Sequence, residues 1–220
     1  DVCSSDLENA NDYYAFVSYG KFLRKIGLFN DANDQFLQAD RIKPDLAVVK
    51  QQLGNFLAEN GRTIEAFSCF SMAAKLEPEE PAYHFSLGNF IYIFLESLLE
   101  EQSSEDRSSL ELLCHESFKR AAFLSPDNFD YQLRLAQSFL DFSQSDLEEG
   151  LLAWQKLSEA FGKRSESERQ YLRIGQAHIL MDLNRSSEAL SLLDAVHAKS
   201  LVSQRDKLRQ KIRAQSKETD

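Results

Sequence analysis

The chain is poor in residues that interrupt or cross-link a backbone. It has 8 glycines and 4 prolines among 220 residues, too few for the frequent tight turns of a strand-rich fold. That scarcity suits long helices. Of its 3 cysteines, Cys69 and Cys114 lie far apart in helical, mostly apolar stretches. Such spacing forms neither a disulfide framework nor a zinc pattern, and both read as small buried hydrophobes. Positive charge is also in deficit: 25 Lys and Arg against 35 Asp and Glu leave a net charge of -10. Proteins that hold nucleic acid non-specifically, or lie on anionic membranes, need the opposite balance. No apolar run approaches the ~18 residues that span a bilayer. The nearest, Phe90 to Leu99, contains Glu96 and stops at Glu100 and Glu101.

Recognisable chemistry is missing too. There is no glycine-rich phosphate loop. His84, His115, His178 and His197 are dispersed, without the paired spacing of metal ligands. The acidic pairs Glu79-Glu80, Glu100-Glu101 and Glu148-Glu149 fall at helix ends and read as solvated or dipole-related charges. The sequence therefore assigns no catalytic residue, no metal site and no cofactor, and the chain is not expected to be an enzyme.

What the sequence does contain is an echo at a 34-residue interval. Tyr19-Gly20, Leu53-Gly54 and Leu87-Gly88 repeat at that spacing, as do Leu23, Leu57 and Ile91. Gly27 is echoed by Gly61, Ala32 by Ala66, Phe36 by Phe70, Ala39 by Ala73 and Pro44 by Pro78. A fixed period of this size marks a repeat architecture. With 43% apolar residues the chain has ample material for a core. Each unit reads as a helix–turn–helix pair. Leu53, Gly54 and Leu57 share one helical face, Asn60-Gly61 breaks the helix, and Ala66, Phe67, Phe70, Ala73 and Leu76 line the buried side of the next. Pro78 then stops it. Gly54 and Ala66 are small because two antiparallel helices on a short turn approach closely only there.

These columns of aromatic, Leu-Gly, Gly, Ala, Phe, Ala and Pro resemble the tetratricopeptide repeat family. The resemblance implies an all-α, right-handed solenoid of helix pairs, with a concave face formed by the first helix of each unit. It also implies a role in binding proteins or peptides. The array is expected at 8–198, as about five repeats at 12–45, 46–79, 80–127, 128–164 and 165–198. A capping helix and polar tail are expected at 199–220, where Leu201, Leu208 and Ile212 share one face among basic residues. A terminal repeat needs such a polar outer face. Residues 1–7 match the translation of a common sequencing-adapter tail, so they are expected to be an artefact without specific contacts, ahead of the native start.

The third unit carries 14 extra residues before Phe118, Ala121 and Pro126 recover the register. They read as an outward extension of both helices, to about Glu101 and from about Ser109, with a polar tip over 102–108. Ser108 with Glu111, Ser145 with Glu148 and Ser165 with Glu168 have capping-box spacing. In the later units Leu135-Ala136 replaces Leu-Gly, Trp154 takes the Phe column, and Ile174-Gly175 restores the glycine.

The resemblance implies that the residue after each column glycine, or after Ala136, points into the groove: Lys21, Asn55, Asn89, Gln137 and Gln176. Three residues earlier stand Ser18, Gln52, Ser86, Arg134 and Arg173. Amide side chains carry donors and acceptors for the backbone of an extended peptide. The two arginines suit a carboxylate, and the aromatic and apolar neighbours Tyr14, Val17, Phe85 and Tyr92 are expected to supply pockets along this ladder. The expected binding face is therefore Lys21, Gln52, Asn55, Phe85, Asn89, Arg134, Gln137, Arg173 and Gln176. The expected partner is a protein or peptide, with an acidic group toward the fourth and fifth units, and neither nucleic acid nor a membrane. Chaperone-tail clamps of the family use two Lys, two Asn and an Arg. Val17, Lys21, Gln52, Ala82 and Ser86 stand at the matching positions, which argues against that specificity. Two further functions fit the residues: a docking array of a larger enzyme, such as a glycosyltransferase or kinase, and a structural protein that self-assembles through the long hairpin.

Overall fold

Helix breakers fall where the 34-residue register puts them. The structure, a computed structural model, describes residues 3–101, 106–142 and 146–218. Among these residues there are eleven helices and no strand. They are α1 (Cys3–Lys25), α2 (Phe29–Ile42), α3 (Ala47–Glu59), α4 (Thr63–Leu76), α5 (Pro81–Glu101) and α6 (Arg107–Leu124). Then follow α7 (Phe129–Asp141), α8 (Leu147–Ala160), α9 (Glu166–Asp182), α10 (Ser186–Asp194) and α11 (Val202–Glu218). The chain forms two compact units, Asp1–Leu124 and Ser125–Asp220. Five of the seven residues assigned to an adapter tail are helical backbone at the start of α1; Asp1 and Val2 lie outside the described residues.

Within the first two helix pairs the turns are made by glycine in the left-handed region. Gly27 has φ 84° and Gly61 has φ 71°. At Gly61 the Arg62 N–H reaches the Leu57 carbonyl at 2.9 Å and the Gly61 N–H reaches Ala58 at 3.1 Å. This pair of bonds satisfies carbonyls that a helix end leaves open. Gly27 repeats the arrangement, with Leu28 donating to Leu23 and Gly27 to Arg24.

Each turn delivers a phenylalanine onto a glycine. A methyl placed on Gly20 would meet the Phe36 ring at 2.8 Å, on Gly54 the Phe70 ring at 3.2 Å, and on Gly88 the Phe118 ring at 2.7 Å. Ala32, Phe36, Ala39, Ala66, Phe70, Ala73, Phe118 and Ala121 are all buried. Leu53 and Leu87 are buried, whereas Tyr19 in the same column is 53% exposed, because among the described residues no repeat precedes the first.

The third pair is longer, as its sequence implies. α5 runs to Glu101 and α6 starts at Arg107. Ile91 and Leu98 on α5 and Leu110 and Cys114 on α6 are all buried, so both helices of the extended hairpin carry core residues. Phe94 leaves helical geometry at φ -106° and ψ 19°, which kinks α5 where the extension begins. Cys114 occupies the small-residue column of Ala32 and Ala66 and donates its thiol to the Gly88 carbonyl at 3.1 Å. Cys69 is only half-buried, and burial pushes its thiol pKa up. The cap of α6 differs from expectation. Asp106, not Ser108, accepts the Ser109 N–H at 2.7 Å, and the Ser108 hydroxyl also donates to Asp106. A carboxylate before the first turn competes better for the open N–H groups and the helix dipole than a hydroxyl inside that turn.

The second unit keeps the plan with different residues. Gly150 takes the small column and lies under Phe139. Trp154 is 1% exposed and covers Gly175, so that glycine faces the preceding helix α8 and not its own partner α10. Asn184, with φ 60°, stands where the earlier turns use glycine, and Arg185 donates to Leu180 across it. Ser165 and Glu168 form the expected capping box of α9. For α8 the cap is Asp146, which accepts from Glu148 and Glu149; Ser145 lies outside the described residues. Buried Leu208 and Ile212 seat α11. Two of its basic residues turn inward: Arg205 binds the Val196 carbonyl at 2.8 Å and Arg209 binds Asp194 at 2.6 Å.

Candidate peptide-binding faces

The first helices of neighbouring pairs are tied by bonds spaced one repeat apart. In the first unit Arg24 of α1 meets Glu59 of α3 at 2.8 Å. Gln51 of α3 donates to the Ser86 hydroxyl of α5 at 2.7 Å. In the second unit Gln137 of α7 donates to the Tyr171 hydroxyl of α9 at 2.8 Å. One of the expected site residues, Gln137, takes part in such a rung.

In the first unit Lys21, Gln52 and Asn55 are open among the described residues. Lys21 is exposed. Gln52 and Asn55 are half-buried, one turn apart on α3, and among the described residues their amides have no hydrogen-bond partner. Half-buried amides in this state retain both donors and an acceptor for an incoming chain. Asn89 is half-buried on α5, and Phe85 lies edge-on to Phe118 with ring centres 6.1 Å apart.

The second unit uses its polar groups internally. Arg134 approaches Gln137 at 3.3 Å and Asp141 at 4.0 Å. Arg173 donates to the Ala195 carbonyl at 3.1 Å, at the end of α10, and lies 3.6 Å from Glu166. Glu166 is held below the usual carboxylate range, first by the hydrogen bond from Gln170 and then by Arg169 and Arg173. Gln176 is buried, and its amide donates to the Trp154 carbonyl at 3.1 Å and the Ser158 hydroxyl at 2.8 Å. Lys21, Gln52, Asn55, Phe85 and Asn89 thus belong to one unit, and Arg134, Gln137, Arg173 and Gln176 to the other. Only the first set includes amides without partners.

Sequence reasoning missed three of these features. The Gln51–Ser86 and Gln137–Tyr171 rungs could have been read from their separations of 35 and 34 residues. Gln170 carried no such signal. It is buried, and its carbonyl accepts the His197 and Ala198 N–H groups at 2.6 and 2.7 Å, fixing the turn into α11 where no proline marks it.

Among the described residues no group of three His, Cys, Asp or Glu side chains could hold a metal ion, and no helix is long and apolar enough to cross a membrane.

No protein-family model matches the sequence, and no curated protein matches it. Solved structures do match. One is YrrB, a TPR protein with an unusual peptide-binding site, at TM-score 0.67 and 14% identity over 87% of this chain and 88% of that one. A second is MamA from Desulfovibrio magneticus RS-1, at TM-score 0.61 and 13% identity over 91% and 97%. A third is the Thermobaculum terrenum O-GlcNAc transferase, at TM-score 0.53 and 19% identity over 70% of this chain and 27% of the enzyme. The echoed Gly, Ala and Phe columns, the helix pairs they close and these likenesses together give the chain the tetratricopeptide-repeat fold.

Proposed function

We propose that this chain is a binding scaffold that takes an extended protein segment along the first helices of its first three repeats. The observation that carries the reading is the unpartnered pair Gln52 and Asn55 on α3. Half-buried polar groups gain most from a partner that replaces the water around them. Lys21 is an exposed cation within that set, placed for an acidic group on the ligand. The arginines of the second unit are poorer candidates for it, because Asp141 and Glu166 already approach them. The peptide-binding site of YrrB, a protein of the same fold, supports the general mode.

Affinity enrichment from native lysate tests this. Wild type and a Gln52→Ala/Asn55→Ala variant serve as baits at equal loading. A partner captured by wild type and lost with the variant supports the reading; equal capture by both places binding elsewhere.

A second reading has one observation in its favour. The chain matches part of an O-GlcNAc transferase, so a repeat array of this kind also occurs within a larger enzyme. In that reading the same face docks substrates. The open reading frame around the segment discriminates between the two.

A further inference from the structure

A cleft lies on the second and third helix pairs of the first unit. Asp40 and Lys50 form an ion pair at 2.8 Å, half-buried between α2 and α3. One repeat later their places are taken by Ala74 and His84. Neither residue can form the ion pair of the preceding repeat, and both line the cleft. The cleft, of about 770 Å³, opens between α4 and α6, on the side of the second helices, with Leu87 and Ala74 among its lining. That is the size range of ligand sites, ~300–1,000 Å³.

The cleft has two chemically different ends. Phe67, Met72 and Leu113 line one stretch, and Met72 and Leu113 are 45% and 38% exposed. Clustered exposed apolar side chains of this kind mark interaction sites. Lys75, Arg120 and His84 stand at the other end. Arg120 is shared with Glu79 at 2.6 Å, and His84 contacts the Pro78 carbonyl at 2.9 Å. Lys75 has no such partner among the described residues. Glu116 lies one turn before Arg120 on α6, so a ligand's acidic group has to sit beyond it, at the Lys75 end.

We propose that this cleft is a second binding site, separate from the α1–α3–α5 face, and that it takes a short peptide segment with a bulky apolar side chain next to an acidic one. The apolar group lies over Leu87 between Met72 and Leu113. The carboxylate meets Lys75. In a chain of net charge -10, a lysine without a side-chain partner among the described residues, beside an apolar cleft, favours a ligand that carries an acidic group next to an apolar one.

The test is a titration of the isotope-labelled full chain, followed by the backbone amide signals of Ser71, Met72 and Leu113. Two synthetic peptides serve as probes: one with leucine and phenylalanine followed by two aspartates, the other with asparagines in their place. The expected result is saturable shifts at these amides, with the aspartate peptide at least fivefold tighter. Lys75→Glu should weaken it at least tenfold. Ala74→Asp with His84→Lys, which restores the ion pair of the preceding repeat, should abolish it, while Asn55→Ala leaves it unchanged. If the double variant does not fold, the surface substitution Lys75→Glu decides alone. Absence of saturable shifts, equal affinity for both peptides, or indifference to Lys75→Glu would overturn the proposal. Shifts that appear with rising protein concentration and no peptide would assign the cleft to a second copy of the chain, and would also overturn it.

Discussion

Replacing each column glycine with alanine should rank the four helix contacts by how much room they leave. Two effects oppose each other. Alanine is the better helix former by ~0.8–1 kcal/mol. Against this stands the new methyl group. At Gly54 it would lie 3.2 Å from Phe70, a shortfall of a few tenths of an ångström that a small helix shift removes. Gly54→Ala should therefore be close to neutral. At Gly20 and Gly88 the methyl comes within 2.8 and 2.7 Å of a phenylalanine ring, so the ring has to move. Overpacking of this kind costs ~1–3 kcal/mol, which exceeds the propensity gain. Gly175 is the extreme case. The methyl would lie 2.6 Å from Trp154 Cε3, with two further ring carbons closer still, and the indole is buried on all sides. Gly175→Ala should cost more than either phenylalanine contact and reach the upper end of that range. Urea denaturation of the four variants, fitted with a common slope, measures the order. Gly175→Ala as stable as wild type, or Gly54→Ala the worst of the four, would refute the packing argument.

Gly61→Ala tests conformation without packing, because nothing lies within 4 Å of the added methyl; at φ 71° it should cost ~1–2 kcal/mol in the same urea assay. Gln170→Leu removes both bonds to the turn before α11 and should destabilise by ~1–3 kcal/mol, with faster amide exchange in α11 read by mass spectrometry. His178 has its pKa lowered, chiefly by burial, and Lys211 adds to this while Asp182 and Asp141 oppose it. The unfolded chain then binds its proton first, so stability should fall as pH drops below ~6.5 and level off once the folded form is protonated. His178→Gln should flatten that part of a melting-temperature profile; an unchanged slope would remove His178 as its source.

The first three repeats were legible because each column is under one local demand. A left-handed turn needs glycine at Gly27 and Gly61, and a ring seated on a helix needs glycine beneath it, so spacing alone fixed both. The long hairpin was legible for the same reason: Phe118, Ala121 and Pro126 recover the register after the extra residues. Reading failed where one demand can be met in several ways. Asp106 and Asp146 cap helices whose serines had the right spacing for the task. Asn184 replaces a glycine, and Gln170 replaces the signal of a proline. Gly175 lies on a helix that touches both neighbours, and the sequence does not say that the larger Trp154 ring wins the contact. The binding face was only half legible. Position in the register makes Gln176 the equivalent of Asn55, but the Gln176 amide is buried against α8 while that of Asn55 is half-exposed, and that depends on how a second helix packs.

The most direct measurement is calorimetric titration of the enriched partner segment into wild type, Asn55→Ala and Gln52→Ala/Asn55→Ala. The account predicts that the single substitution weakens binding roughly fivefold or more and the double by well over tenfold, at ~0.5–1.5 kcal/mol for each lost hydrogen bond and more where a ligand group is left unpaired. Melting temperatures should stay within a degree or so of wild type, since neither amide has a partner to lose among the described residues. Equal affinity across the three proteins, with the fold intact, would contradict the assignment of binding to the α1–α3–α5 face.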